Sequence, residues 1–327
     1  MGVDAVARDV TLSVIVATYG QEATIEQALR SILMQETDFP YEVLVGEDHS
    51  PDGTADVLRR LEPELPESFR IFFREENLGE AGNNRDLQER ARGRYIIFLE
   101  GDDYWTDPRK LQKQVDFLEA HPDYIAVAHN TAVVDAAGNP VDFDYPECKK
   151  ADYTLADFRD GLLAGQTATL MFRNIFRDRP FPLLQLDFPY PGDQQKNFML
   201  AAWGRVRCMQ ERMSAYRYVV TGGTSYSATH RPDGKERVKQ VRACEAMRDY
   251  AEREVRSREC VYYSETTYLK YLLYAVREHV EPAWTAGYFV RQLLHCRRRV
   301  KSPAYIAGLC LQAIGKRLTG KGRNTHG

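Results

Sequence analysis

Five short apolar runs, "LSVIVA", "YEVLVG", "RIFF", "YIIFLE" and "YIAVAH", punctuate the first 130 residues, and stretches with helical spacing separate them. Runs that stay apolar rather than alternating with polar residues suit strands buried on both faces. Strand–helix alternation with short connections predicts an α/β fold with a doubly wound, mostly parallel sheet. Ligands bind such sheets outside the carboxyl ends of the strands. Thr18-Tyr19, Asp48 and Asp102-Asp103 all fall at such ends.

Local signals mark the helix boundaries. Thr24 and Gln27 form a capping-box pattern ahead of Ile25, Leu29, Ile32 and Leu33. Ser50 reads as the cap of the next helix, and Gly93 as the C-cap of the third. Asp107-Pro108 supply an N-cap and an N1 proline to a helix that stops at His121-Pro122. Past about Val134 the pattern changes. A polar, turn-rich segment precedes two short strands, "TATLMF" and "RVRCMQ", with a helix in "GDQQKNFMLAAWG" between them. Beyond "TGGTSYSATHRPDG" the chain reads as helical and charged.

Charge and composition narrow the function. A net charge of −3 argues against a general nucleic-acid coat. Six cysteines without a C-x-x-C pair signal neither a zinc ribbon nor a redox motif and suit a reducing compartment. The N-terminus lacks a signal-peptide profile, and no stretch approaches the ~20 apolar residues of a membrane span. The expected location is cytoplasmic. No G-x-x-x-x-G-K-[ST], G-x-G-x-x-G after the first strand, or G-x-S-x-G is present, which removes support for P-loop, dinucleotide-binding and serine-hydrolase readings.

The C-terminus is asymmetric. From Trp284 onward there is no acid, while Arg291, Arg297, Arg298, Arg299, Lys301, Lys316, Arg317, Lys321 and Arg323 are basic. Tyr288, Phe289, Val290, Leu293 and Leu294 are interleaved with them. The mix suits a helix on an anionic membrane surface, peripheral at the inner face, or one whose apolar stripe packs on the N-terminal domain or pairs with a partner subunit.

The acidic run in "FLEGDDYW" asks for an explanation. Glu100, Asp102 and Asp103 end an apolar strand, and carboxylates this close repel unless protonated or matched by a cation. The cluster is either a solvated loop tip or the site of a bound positive charge.

In order, "SVIVATYG", "VLVGEDHSPDGT", "ENLGEAGN" and "GRYIIFLEGDDYW" resemble the family 2 glycosyltransferases, most closely the bacterial members that build surface polysaccharides. The resemblance covers roughly Leu12 to Tyr226 and implies a GT-A fold. It implies a metal-dependent, inverting transfer of a sugar, of hexosyltransferase type, from a nucleotide-sugar donor, UDP-linked, to a glycan or lipid-linked acceptor. By that resemblance Asp103 would ligate Mn2+ or Mg2+, and Asp102 would reach the donor ribose. Asp48 would read the uracil, Ala17 and Tyr19 would approach the base, and Arg217 would pair with phosphate near Gly222-Gly223. Asp193 would be the general base, with Asp187 the fallback. Departures from the family pattern are Glu100 for the first acid of the motif, His49 and Gly20 in the two turns, and no histidine between Arg217 and the glycines. His129 and His230 receive no role. Residues 1–230 then form the catalytic domain, about 1–130 the nucleotide-sugar half and about 131–230 the acceptor half. Residues 231–327 form a helical extension. The alternatives are a non-catalytic nucleotide-sugar or glycan-binding subunit, and a nucleotidyltransferase on a similar sheet.

Overall fold

The computed structural model describes residues 10–142, 145, 149–154, 157, 164–175, 200, 202–218, 234–255 and 258–296. Residues 188–191 aside, the chain divides into two compact units between His230 and Arg231.

The first unit is built on one nine-stranded sheet. Its strands are β1 (Leu12–Thr18), β2 (Tyr41–Glu47), β3 (Phe69–Phe73), β4 (Tyr95–Phe98), β5 (Tyr104–Trp105), β6 (Tyr124–Val134), β7 (Asp152–Tyr153), β8 (Met171–Arg173) and β9 (Arg205–Arg217). They lie in the order β3-β2-β1-β4-β8-β6-β9-β5, with β7 beside β9. β3, β2, β1 and β4 are parallel, as the unbroken apolar runs predict. Beyond β4 the sheet is mixed: β8 runs antiparallel to both neighbours, while β6 and β9 pair in parallel over a long, bulged register.

Helices α1 (Ile25–Leu33), α2 (Thr54–Leu61), α3 (Gly79–Arg90) and α4 (Lys110–Ala120) belong to this unit. α1 buries Ile25, Ala28, Leu29 and Ile32, one stripe at helical spacing. Each such Leu or Ile withdrawn from water contributes roughly 1.5–3 kcal/mol. The stripe joins Leu12, Val14, Val16, Val43 and Val45 in a single core.

The boundary signals act differently from expectation. Thr24 makes no capping bond to α1, and Gln27 instead reaches Arg217. Ser50 does not cap α2, whose N-cap is Gly53: Asp52 Oδ1, just ahead of it, accepts the Thr54 N–H at 3.1 Å, while the Ser50 hydroxyl accepts the Gly20 N–H at 3.1 Å. Gly93 does not end α3, whose C-cap is Ala91. A Cβ there would lie 2.4 Å from the Ser13 nitrogen, so Gly93 is needed for close backbone approach. Asp107 and Pro108 lie just ahead of the cap and N1 positions rather than at them, since α4 starts at Lys110 with Arg109 as its N-cap, and Asp107 Oδ1 accepts the Arg109 N–H at 2.8 Å.

The second unit contains α5 (Gly234–Tyr250), a π-helical turn (Ala251–Val255), α6 (Arg258–Glu278) and α7 (Ala286–Cys296). Val241, Cys244, Tyr268, Leu272, Trp284 and Phe289 form its core. Among the described residues no helix is long and apolar enough to cross a membrane.

Candidate active site

Because β1, β2 and β4 run parallel, their carboxyl ends open on one edge. The three loops leaving that edge are laced together by polar contacts. The Gly20 N–H donates to Ser50 Oγ at 3.1 Å and the Gln21 N–H to Thr54 Oγ1 at 2.8 Å. Gln21 Nε2 donates to Asp102 Oδ1 at 3.2 Å. Gly101 lets this contact form, since a Cβ there would sit 2.2 Å from Gln21 Oε1. Gly20 and His49 both adopt left-handed backbone, with φ of 66° and 57°. For histidine that conformation costs on the order of 1 kcal/mol, and it lies directly beside Asp48.

Asp48 is 3 % exposed. Its Oδ1 accepts the Leu78 N–H at 2.8 Å, and the next amide, of Gly79, donates to Asn77 Oδ1 at 2.8 Å. Burial pushes the Asp48 carboxyl above the usual range, and the Leu78 amide and the Arg74 charge oppose that rise. Ala17 is half-buried near the end of β1, opposite Gly46. Tyr19, beyond the strand end, is 48 % exposed, and Leu78 is likewise exposed. An aromatic face therefore stands open near a carboxylate held by the Leu78 amide.

The acidic loop is organised by two residues from far along the chain. Gln166 Nε2 donates to Asp103 Oδ2 at 2.7 Å and to Glu100 Oε2 at 3.3 Å. The Arg217 N–H donates to Asp103 Oδ1 at 2.8 Å. Asp103 is 2 % exposed, so the carboxylate expected to ligate metal sits in the interior with both oxygens bonded. Asp102 is the partly exposed member of the pair. Burial, then the charges of Asp102 and Glu100, push the Asp103 carboxyl well above its ordinary value. Burial also raises Asp102, against the opposing pull of Arg217.

Arg217 was expected to meet donor phosphate. Its side chain instead points at protein acceptors. Nε donates to the Asp102 carbonyl at 3.0 Å, and Nη1 to the carbonyls of Asp135 and Ala136 at 3.2 and 2.8 Å. Nη2 donates to Gln27 Oε1 at 2.8 Å. A guanidinium committed to four acceptors in a planar fork leaves little free to grip a diphosphate. Asp193, Asp187, Gly222, Gly223 and His230 lie outside the described residues. His129 is fully buried, with Nδ1 2.8 Å from the Asn130 carbonyl oxygen, and burial holds its pKa well below the usual value.

Glu100, Asp102 and Asp103 crowd together, and the raised carboxyls of Asp102 and Asp103 favour a bound cation. No group of three His, Cys, Asp or Glu among the described residues forms a metal cage. One outward-facing carboxylate, Asp102, is a donor set that Mg2+ or Mn2+ accepts, since these ions bind through one or two carboxylates and complete their shell with phosphate oxygens and water. Two buried oxygens at this edge, Thr18 Oγ1 and Gln21 Oε1, have no hydrogen-bond partner among the described residues, which leaves polar capacity for a ligand.

An α/β sheet with an acidic loop at the end of its fourth strand is the GT-A architecture. The fold is similar to that of S. aureus TarS 1–349 in complex with UDP-GlcNAc, with a TM-score of 0.63, 17% identity, and coverage of 96% of this chain and 93% of that one. Residues 13–179 match the family described as "Glycosyl transferase family 2", and the chain belongs to that family. Among its relatives, Rv1520 of Mycobacterium tuberculosis is 32% identical over 212 residues, which span 63% of this chain and 58% of that protein. The putative teichuronic acid biosynthesis glycosyltransferase TuaG of Bacillus subtilis is 37% identical over 107 residues, spanning 33% of this chain and 41% of that one.

Gln166 and Gln21 were not singled out by sequence reasoning. Gln166 lies 63 residues from Asp103, immediately before the stretch that reads as a strand. Gln21 was closer to view, since it follows the glycine that departs from the family pattern.

Proposed function

We propose that the chain is a metal-dependent, inverting glycosyltransferase that takes a sugar from a UDP-linked donor. The observation that carries this reading is the lacing of Asp48, Tyr19 and the acidic loop along one sheet edge by Ser50, Thr54 and Gln21. Asp48 and Tyr19 hold the base, the first by its fixed carboxylate and the second by its exposed ring. Ala17 lines the approach. Within the acidic pair the roles are exchanged relative to the resemblance: Asp102 presents its carboxylate to Mn2+ or Mg2+, and Asp103 stands behind it. When bound, the cation neutralises charge developing on the departing diphosphate. Asp193 takes the proton of the acceptor hydroxyl as that oxygen attacks the anomeric carbon, and the bond to diphosphate breaks on the opposite face.

UDP as the nucleotide draws support from TarS, solved with UDP-GlcNAc, and from the E. coli relative named UDP-Glc:alpha-D-GlcNAc-diphosphoundecaprenol beta-1,3-glucosyltransferase WfaP. The latter is 31% identical over 120 residues, spanning 36% of this chain and 45% of that one. The same relative and TuaG favour a role in bacterial polysaccharide synthesis, with a glycan or lipid-linked acceptor. Residues 1–230 act as the catalytic domain and 231–327 as a helical extension. Val290, Arg291 and Leu294 are exposed on α7, ahead of the acid-free basic tail, which suits an enzyme working in the cytoplasm at the inner membrane face.

A panel of nucleotide sugars tests the reading, with released UDP or GDP as the readout. The expected result is UDP release from a UDP-sugar with Mn2+ or Mg2+, abolished by EDTA. Asp193→Asn retains UDP binding and loses transfer, whereas a binding subunit has no use for that base. Turnover in excess chelator, or a clear preference for a GDP-sugar, contradicts it.

A further inference from the structure

Arg217 ends β9 and is 7 % exposed. Its four side-chain hydrogen bonds run to the carbonyls of Asp102, Asp135 and Ala136 and to the amide oxygen of Gln27. All four acceptors are uncharged. Its own N–H holds Asp103 Oδ1 at 2.8 Å. One residue thus grips the acidic loop at two consecutive positions. Its other bonds tie that loop to α1 and to the turn that follows β6.

We propose that Arg217 is a positioning residue that sets how tightly the acidic loop binds a divalent cation. This rests on the metal-binding reading above. The Asp102 main chain cannot shift without breaking the bond to Nε, and the Asp103 carboxylate cannot turn outward without losing the β9 amide. Asp102 is thereby left as the carboxylate that faces the ligand, in one orientation. The guanidinium does this by planar geometry, which lysine, a point donor on a flexible stem, does not reproduce. Its charge acts in the opposite sense, repelling a nearby cation. Position and charge therefore predict opposite outcomes when Arg217 is changed.

The test titrates Mn2+ into the full chain with UDP present, following free Mn2+ by electron paramagnetic resonance. Arg217→Lys is expected to weaken Mn2+ binding about 10- to 100-fold, the usual cost of losing a residue that orients a metal ligand. Arg217→Gln is expected to weaken it too, although it removes a repelling charge. Gln27→Ala removes one acceptor at an exposed position and keeps the measurement informative if the β9 variants fold poorly. It should weaken binding in the same direction, by less. Wild-type affinity in Arg217→Lys or Gln27→Ala, or tighter binding in Arg217→Gln, overturns the inference. If wild type with UDP takes up no Mn2+, the metal reading itself falls and takes the inference with it.

Discussion

The two edges of the parallel sheet treat buried carboxylates in opposite ways. At the amino edge Glu42 opens β2 and is 2 % exposed. Arg70 and Arg92 pair with it at 3.0 and 2.8 Å, and the Ser13 hydroxyl and the Arg92 N–H each donate to Oε1 at 2.8 Å. Burial alone would raise this carboxyl, but the bonds from Arg92 and Ser13 outweigh it and hold the group below its ordinary value. At the carboxyl edge Glu100, Asp102 and Asp103 crowd together, and burial and mutual repulsion raise the two aspartates. A carboxylate matched by cations holds a fold together. Carboxylates left crowded cost stability, and that cost is returned when a cationic ligand arrives. The amino edge satisfies its charge within the fold, and the carboxyl edge, in the function proposed, satisfies it with a ligand.

Mutations at the two edges should separate these roles. Asp102→Asn is expected to reduce turnover by more than ~100-fold, since several kcal/mol of leaving-group stabilisation depend on the cation. It should leave the melting temperature of the metal-free protein unchanged or higher, because a repelling charge has gone. A large drop in melting temperature would erase the distinction between the edges.

Glu42→Gln is the complementary change. It should cost about 2 kcal/mol of stability by denaturant unfolding, on the scale of hydrogen bonds to a charged group, while transfer by the folded enzyme stays near wild type. Its pH dependence has a definite sign. The native pKa is depressed, so the stability Glu42 contributes is complete above its unfolded value and is lost as pH falls through the native one. The gap between variant and wild type should therefore close in acid. A gap that widens there contradicts the assignment.

Smaller effects are expected at Asp48 and at the head of α2. Asp48→Ala should weaken UDP binding about tenfold, or ~1.4 kcal/mol, by calorimetry with metal present. Asp52→Ala should cost about 1 kcal/mol of stability through the lost bonds to Thr54 at the head of α2, and Ser50→Ala less. Equal costs at Ser50 and Asp52 would give the serine an equal part there.

The carboxyl edge was legible wherever its signal is local. β1, β2 and β4 are unbroken apolar runs, and the residues that follow each of them announce the polar edge. The extent of β6 and β9 was not, because polar residues interrupt the pattern and register shifts at Tyr124, His129 and Asn130 break the periodicity. Roles set by distant partners were hidden as well. An arginine before a glycine-rich loop suits phosphate, and only the fold reveals that its acceptors are carbonyls about 80 and 115 residues back. Likewise, two neighbouring aspartates look equivalent until Gln166 and the β9 amide enclose one of them.

The function proposed requires a cation, carried with a nucleoside diphosphate, to complete the crowded carboxyl edge. Calorimetric titration of UDP into the full chain, with Mn2+ and then with excess EDTA, tests it most directly. Saturable UDP binding in Mn2+ that falls at least tenfold in EDTA, and that Asp102→Asn reduces to the EDTA level, is the predicted result. UDP affinity that is the same in Mn2+ and in EDTA would contradict the account.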